Sequence, residues 1–248
     1  MIAKLNMALL TLAVLFTIAC GGGNREKAAQ EPQPPEPAPA PQEEWLTLFD
    51  GTSLEGWRGF NSQTLPPNWV IENESLKSLG TGGDIGGDIV YGAEAFDNFE
   101  LVFEWKISEG GNSGVFYHVV EGEKYKAPYE TAPEYQVLDD IGFPDPLEDW
   151  QKVGADYAMH IPEPGTKIVK PAGEWNSSKI YFTPEKAEHW LNGQKLLEFV
   201  PWSEDWTAKR NSGKWDDYPD YGLAKTGLIG IQDHGSFIWY RNIKIKRL

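Results

Sequence analysis

The sequence has one cysteine in 248 residues, which excludes an intramolecular disulfide framework and a cysteine-based structural zinc site. Positive charge is also short, with 22 Lys and Arg against 37 Asp and Glu for a net charge of −15. Such a balance repels a phosphate backbone and argues against nucleic acid as a partner. Only four histidines occur, with no His-x-x-x-His spacing, so any metal site would have to be assembled from separate strands with Asp or Glu. A Gly-x-Ser-x-Gly elbow is missing, and Gly82-Gly83-Asp84-Ile85-Gly86-Gly87-Asp88 lacks the lysine of a phosphate loop. A serine hydrolase and a nucleotide binder are therefore disfavoured, and no organic cofactor is expected.

The one long apolar run stands at the start. Lys4 precedes Met7 to Ala19, and Cys20 follows. Thirteen apolar residues are too few to span a bilayer but suit the core of a signal peptide. Thr17-Ile18-Ala19-Cys20-Gly21 resembles a bacterial lipobox, in which a small residue precedes a cysteine that becomes acylated. The expectation is a signal peptide over 1–19, lipidation at Cys20 and a cell-envelope protein held to a membrane by its lipid. Up to Glu44 six prolines alternate with Glu, Gln and Ala, a composition that has little to bury and reads as an extended tether over 20–44. Only five of the 37 acidic residues precede Trp45, so the acidity belongs to a domain over 45–248.

In that domain the period is two. Phe99 to Ile107 alternates large apolar residues with a mixed set, as a half-buried strand does. Ser113 to Val120, Glu134 to Leu138, Lys179 to Thr183 and Phe237 to Ile245 repeat the pattern. Asn192-Gly193 between two such runs is a hairpin signal. A short helix fits only Pro201 to Lys209. All eleven tryptophans lie in 45–248, and many strands with Gly-rich turns imply an all-β sandwich or jelly roll. Two long connections, 140–173 and 201–226, carry Trp150, Tyr157, Trp202, Trp206, Trp215, Tyr218 and Tyr221; aromatic loops of that length are expected to pack over one face or rim.

Aromatic rings beside carboxylates and amides suit a sugar, whose C–H faces stack while its hydroxyls bond to Asp, Asn, Gln and His. Strand parity sorts the polar candidates. With Phe103 and Trp105 inward, Glu104 points out; with Tyr135 and Val137 inward, Glu134 and Gln136 point out together. Gln232 and His234 lie opposite Ile231, and His118 alternates with Val119. Glu104 and Glu134 on neighbouring strands would form a pair able to act as acid and base in glycosidic cleavage. The crowded acids Asp139, Asp140, Asp145, Glu148 and Asp149 read either as a solvated loop or as a hard-cation site.

Six motifs then recur in order. They are Leu48-Phe49-Asp50-Gly51 through Gly56-Trp57; Gly111-Asn112-Ser113-Gly114-Val115-Phe116; Glu134-Tyr135-Gln136-Val137-Leu138-Asp139; Lys170-Pro171-Ala172-Gly173-Glu174-Trp175-Asn176; Glu188-His189-Trp190-Leu191-Asn192-Gly193; and Gly230-Ile231-Gln232-Asp233-His234-Gly235. Together they resemble the signature of the 3-keto-disaccharide hydrolase domain family over essentially all of 45–248. The resemblance implies a concanavalin A-like jelly roll of two antiparallel sheets and an activity on glycosides. Glucanases of that fold carry a Glu-x-Asp-x-Glu strand, which this sequence lacks. A 3-keto sugar permits another route, since its ketone acidifies the neighbouring C2–H. Elimination then needs one base, donors for the enolate oxygen and an acid for the leaving group. Glu134 or His118 is the expected base, with Asp139 and Glu104 as further carboxylates. Asn112, Gln136, Trp175, His189, Gln232 and His234 are the expected sugar contacts, and a divalent cation at Asp139 or the histidines is an alternative to some donors. A non-catalytic, lectin-like glycan binder is the competing reading.

Overall fold

The computed structural model describes residues 44–83 and 87–248. The signal segment, Cys20 and the proline-rich segment up to Glu43 lie outside the described residues. Alternation decides the architecture. In β6 (Phe99–Ile107), Phe99, Leu101, Phe103, Trp105 and Ile107 are buried and the residues between them are only partly so. One face of this strand fills a core and the other meets solvent.

Among the described residues thirteen strands form two antiparallel sheets. The larger runs β11 (Gln194–Phe199), β10 (Lys186–Leu191), β9 (Asn176–Thr183), β6, β13 (Phe237–Arg247), β4 (Ser75–Leu79) and β3 (Trp69–Glu72), with β1 (Leu46–Phe49) paired to the C-terminal half of β13. The smaller runs β2 (Trp57–Gly59), β5 (Ile89–Phe96), β12 (Gly227–Ile231), β7 (Asn112–Val119) and β8 (Glu134–Leu138). Phe99, Phe103, Trp105, Phe182 and Tyr240 from the larger sheet and Tyr117, Tyr135, Val137, Ile229 and Ile231 from the smaller share one buried core. Ring pairs such as Phe103–Tyr135, edge-on at 5.5 Å, add directional contacts to the burial. The jelly-roll expectation holds, and the strand runs seen in the sequence are strands here.

The Asn192-Gly193 turn joins β10 to β11 with both residues at positive φ, 48° and 83°, as a two-residue hairpin that follows the strand twist requires. The expected short helix forms as α1 (Glu204–Arg210), where Ser203 Oγ accepts the Trp206 N–H at 3.2 Å and Glu204 and Asp205 face the N-terminal end of the helix dipole.

β8 ends the smaller sheet, yet all five of its residues are buried. The long loop covers its free edge: Gln136 N donates to Ala155 O at 3.0 Å, Gly154 N to Gln136 O at 2.9 Å and Tyr157 N to Glu134 O at 3.0 Å. The backbone groups an edge strand would leave open are thus satisfied within the chain.

Candidate active site

The outer face of the smaller sheet carries a polar cavity of about 240 Å³. Its floor comes from adjacent strands. Asn112 on β7, Glu134 and Gln136 on β8, and Gln232 and His234 just beyond β12 all line it. Parity brings them there: Val115, Tyr135, Val137 and Ile231 point into the core, so their alternate neighbours share the opposite face. Register does the rest, since Gly114 stands opposite Gln136 and Gln232 N donates to Gly114 O at 2.9 Å.

Glu134 is 4% exposed. Its carboxylate lies across Gly114, where a Cβ atom on the glycine would stand 1.9 Å from Oε1. Glycine therefore makes the room in which the acid sits. Gln136 Nε2 donates to Asn112 Oδ1 at 3.3 Å and to Gln151 O at 3.1 Å, which fixes the amide against the floor. The buried Gln232 Oε1 has no hydrogen-bond partner among the described residues. A buried amide left open at a cavity is a group that a bound ligand can satisfy.

The walls and roof come from loops. Tyr129, Tyr157, Tyr218 and Lys214 complete the lining. Tyr129 and Tyr218 meet edge to face at 5.6 Å. Lys214 Nζ lies 4.2 Å from the Tyr157 ring centre, 5.1 Å from Trp215 and 5.6 Å from Tyr129. Burial holds the Glu134 carboxyl well above the usual carboxylate range, against the pull of the Lys214 ammonium, and Asp88 and Asp156 add to the rise. Burial likewise pulls the Lys214 ammonium below its ordinary value, while Glu134 opposes that change. The Tyr157 phenol is pushed up to about 12, by burial and then by Glu134, and Tyr129 also to about 12, by burial first. Both remain hydrogen-bond donors at neutral pH. A base buried away from bulk water beside fixed donors and a cation is suited to proton abstraction.

Other expected residues lie elsewhere. Glu104 sits on the outer face of the larger sheet, where it accepts from Arg241 Nε at 2.7 Å and Asn242 Nδ2 at 3.1 Å. It and Glu134 are on different sheets, so the expected carboxylate pair is not assembled. Trp175 is on that same far side, with the Arg241 guanidinium 4.0 Å over its ring. His118 is 1% exposed and packs edge-on against Phe182 at 4.6 Å, its Nε2 bonded to Asp97 O at 2.8 Å. A bulge explains the failure of simple alternation: the register of β12 and β7 shifts between Leu228 and Gly230, and His118 takes φ 58°. His189 is buried in the core between Gly154 O at 3.1 Å and the Tyr117 hydroxyl at 3.4 Å. Burial lowers both imidazoles to about 4, so each is a neutral packing group.

Asp139 does not line this cavity; it pins two loops, accepting from Gly110 N at 2.9 Å and Ile141 N at 3.2 Å. Asp140 pairs with Lys167 and Asp149 with Lys152. Among the described residues no group of three His, Cys, Asp or Glu is gathered as a cation site. Lys214, Tyr129 and the role of Gly114 escaped the sequence reading. Gly114 lay in a quoted motif, and Lys214 directly precedes Trp215 in a loop singled out for its aromatics.

The domain profile described as 3-keto-alpha-glucoside-1,2-lyase-like matches residues 44–246. The chain belongs to this family. A 3-keto-disaccharide hydrolase of Bacteroides thetaiotaomicron is 38% identical in an alignment covering 82% of this chain and 78% of that protein. A crystal structure from Parabacteroides distasonis, of a protein provisionally described as a glycosyl hydrolase, is 46% identical over 83% of this chain and 95% of its own, with a TM-score of 0.77. A second protein of that organism, described in the same provisional way, is 27% identical over 83% of this chain and all of its own, with a TM-score of 0.64.

Proposed function

We propose that the chain is an enzyme that cleaves the glycosidic bond of 3-keto-glycosides, with Glu134 as the base that removes the proton from C2. The observation that carries this reading is the Glu134 carboxylate, buried against Gly114 at the floor of a polar, aromatic-walled cavity. At about 240 Å³ the cavity is smaller than the roughly 300–1,000 Å³ of a typical ligand pocket, which suits a single sugar ring. Family membership and the hydrolase relative support a sugar substrate. Among the described residues the cavity is lined by one carboxylate, Glu134, rather than a flanking pair, which favours elimination over a two-carboxylate displacement. Removal of C2–H lets the C1 oxygen leave as an alcohol, and water added to the resulting enone completes hydrolysis. Gln136, Asn112, Gln232 and His234 bind the sugar hydroxyls.

Glu134→Gln keeps size and hydrogen bonding while removing the base. Turnover of a 3-keto-glucoside is expected to fall by about 10²–10⁴-fold with binding little changed. Equal turnover by the variant rules out Glu134 as base, and wild-type glycan binding without turnover replaces the enzyme by a lectin-like protein.

The protein is further proposed to be exported and lipid-anchored at Cys20 to a membrane of the bacterial envelope, on the strength of the apolar run before Ala19-Cys20 and the proline-rich segment after it. Fractionation and acyl labelling test this. Cys20→Ser is expected to release the protein from membranes, and an unacylated wild type refutes the anchor.

A further inference from the structure

Elimination at a 3-keto sugar moves negative charge onto the ketone oxygen, and none of the residues expected from the sequence brings a fixed positive charge to the cavity. Lys214 does. We propose that Lys214 is a catalytic residue of this site, its ammonium donating to the C3 carbonyl oxygen and carrying the charge that develops there as the C2–H bond breaks. The inference rests on the reading of the cavity as an eliminative site.

Lys106, Lys179 and Lys225 also lie over aromatic rings, but among the described lysines it is Lys214 that lines the cavity with Glu134. Lys77, Lys124, Lys152, Lys167, Lys195 and Lys209 each pair with a carboxylate. Lys214 makes no ion pair or hydrogen bond with a described residue. It lies instead among the faces of Tyr157, Trp215 and Tyr129, with the Glu134 charge acting through space. Aromatic faces hold a cation in place without consuming its N–H donors. Three donors of a positioned ammonium are thus left for a ligand in the same cavity as the base.

The position is built in. Lys214 belongs to the 3-10 turn Gly213–Asp217, and the next residue, Trp215, is buried and stacked on Tyr221 at 3.6 Å. Arg210 Nε, at the end of α1, donates to Tyr221 O at 2.6 Å, which ties the turn to the helix. A donor fixed before the substrate arrives needs no reorganisation in the transition state, the condition under which such groups contribute most.

The step balances. The Glu134 carboxylate takes the C2 proton, and the C–H electron pair becomes the C2–C3 double bond while the carbonyl pair moves to O3 beside Lys214. Re-formation of the carbonyl then makes the C1–C2 double bond and expels the C1 oxygen with its electron pair. The proton that Glu134 took from C2 passes to the departing alcohol, so the carboxylate is restored and nothing is oxidised or reduced.

The test compares wild type, Lys214→Met, Lys214→Arg and Glu134→Gln on a 3-keto-glucoside with and without deuterium at C2. Lys214→Met is expected to lower kcat about 10²–10³-fold with KM little changed and to enlarge the deuterium effect. Lys214→Arg keeps a cationic donor and is expected to recover part of the rate, which also controls for misfolding. A KM change alone, or an unchanged kcat in Lys214→Met, overturns the proposal while leaving the eliminative reading in place. A sugar adduct at Lys214 in wild type after borohydride reduction during turnover also overturns it, since the lysine then forms an imine with the ketone. No wild-type turnover, or turnover indifferent to Glu134→Gln, removes the reading itself.

Discussion

Gly114 has no side chain because the Glu134 carboxylate occupies the space of one. Gly114→Ala would put a Cβ atom 2.6 Å from Cδ of Glu134 as well as against its oxygen. The acid has to move by an ångström or so, and a displacement of that size is expected to lower turnover by about 10²-fold. Overpacking is expected to destabilise the fold by about 1–3 kcal/mol, read from denaturant unfolding. The sign of the pH dependence follows from burial. A base whose pKa is raised is protonated, and idle, at pH values where an exposed carboxylate near 4.3 is already ionised. The acid limb of kcat/KM is therefore expected above the ordinary carboxylate range, and a midpoint near 4 contradicts the assignment. At this scale the sequence was partly legible: alternation around Tyr135 and Ile231 was enough to put Glu134, Gln136 and Gln232 on one face. It failed at His118, where a bulge reversed the side chain, and at Lys214, whose setting depends on residues far apart in the chain.

Among the elements, the strands follow from local pattern. β6 and β8 have the bounds their alternation implies, and Asn192-Gly193 makes the turn its chemistry demands. Pairing between distant strands was not legible, because alternation gives each strand a face but no partner. Glu104 and Glu134 illustrate this, both outward and on opposite sheets. The long loops were legible as aromatic and packed, though not as the edge cover of β8 or the roof of the cavity. Their anchoring is testable through α1. Ser203→Ala removes the acceptor of the Trp206 N–H and is expected to destabilise the protein by about 1 kcal/mol. Proteolysis within 201–226 should speed up correspondingly; an unchanged cleavage rate means the cap does not hold the loop.

Across the whole molecule, opposing protonation equilibria are built into the interior. Burial lowers His118 and His189 to about 4, so the folded state excludes protons that the unfolded chain takes up below its ordinary histidine value; stability from this source falls as pH drops toward 4. Asp88 is raised to about 7, by burial first and then by the neighbouring Asp233 charge, despite the Asp233 N–H donated to it at 2.9 Å. Its folded form keeps a proton that the unfolded chain has lost, so its contribution declines as pH rises from about 4 to about 7. Asp88→Asn retains the acceptor and removes only this second trend. Urea unfolding across that range is expected to show the variant gaining on wild type with each step up in pH, and a constant difference shows that Asp88 is ionised throughout.

The floor and the roof of the cavity are built by different means. The floor is set by the ladders among β8, β7 and β12, in which a change of one residue would turn every side chain to the wrong face. The roof comes from long connections that, away from the 154–157 backbone bonded to β8 and from Lys214, can lengthen, shorten or change sequence without disturbing any strand. Descendants of one ancestral gene can accordingly inherit the proton-transfer apparatus intact and diverge in which sugar they admit. Sequence variation among such relatives is expected to concentrate in 140–173 and 201–226 outside Lys214, while Gly114, Glu134, Gln136 and Lys214 change together or not at all.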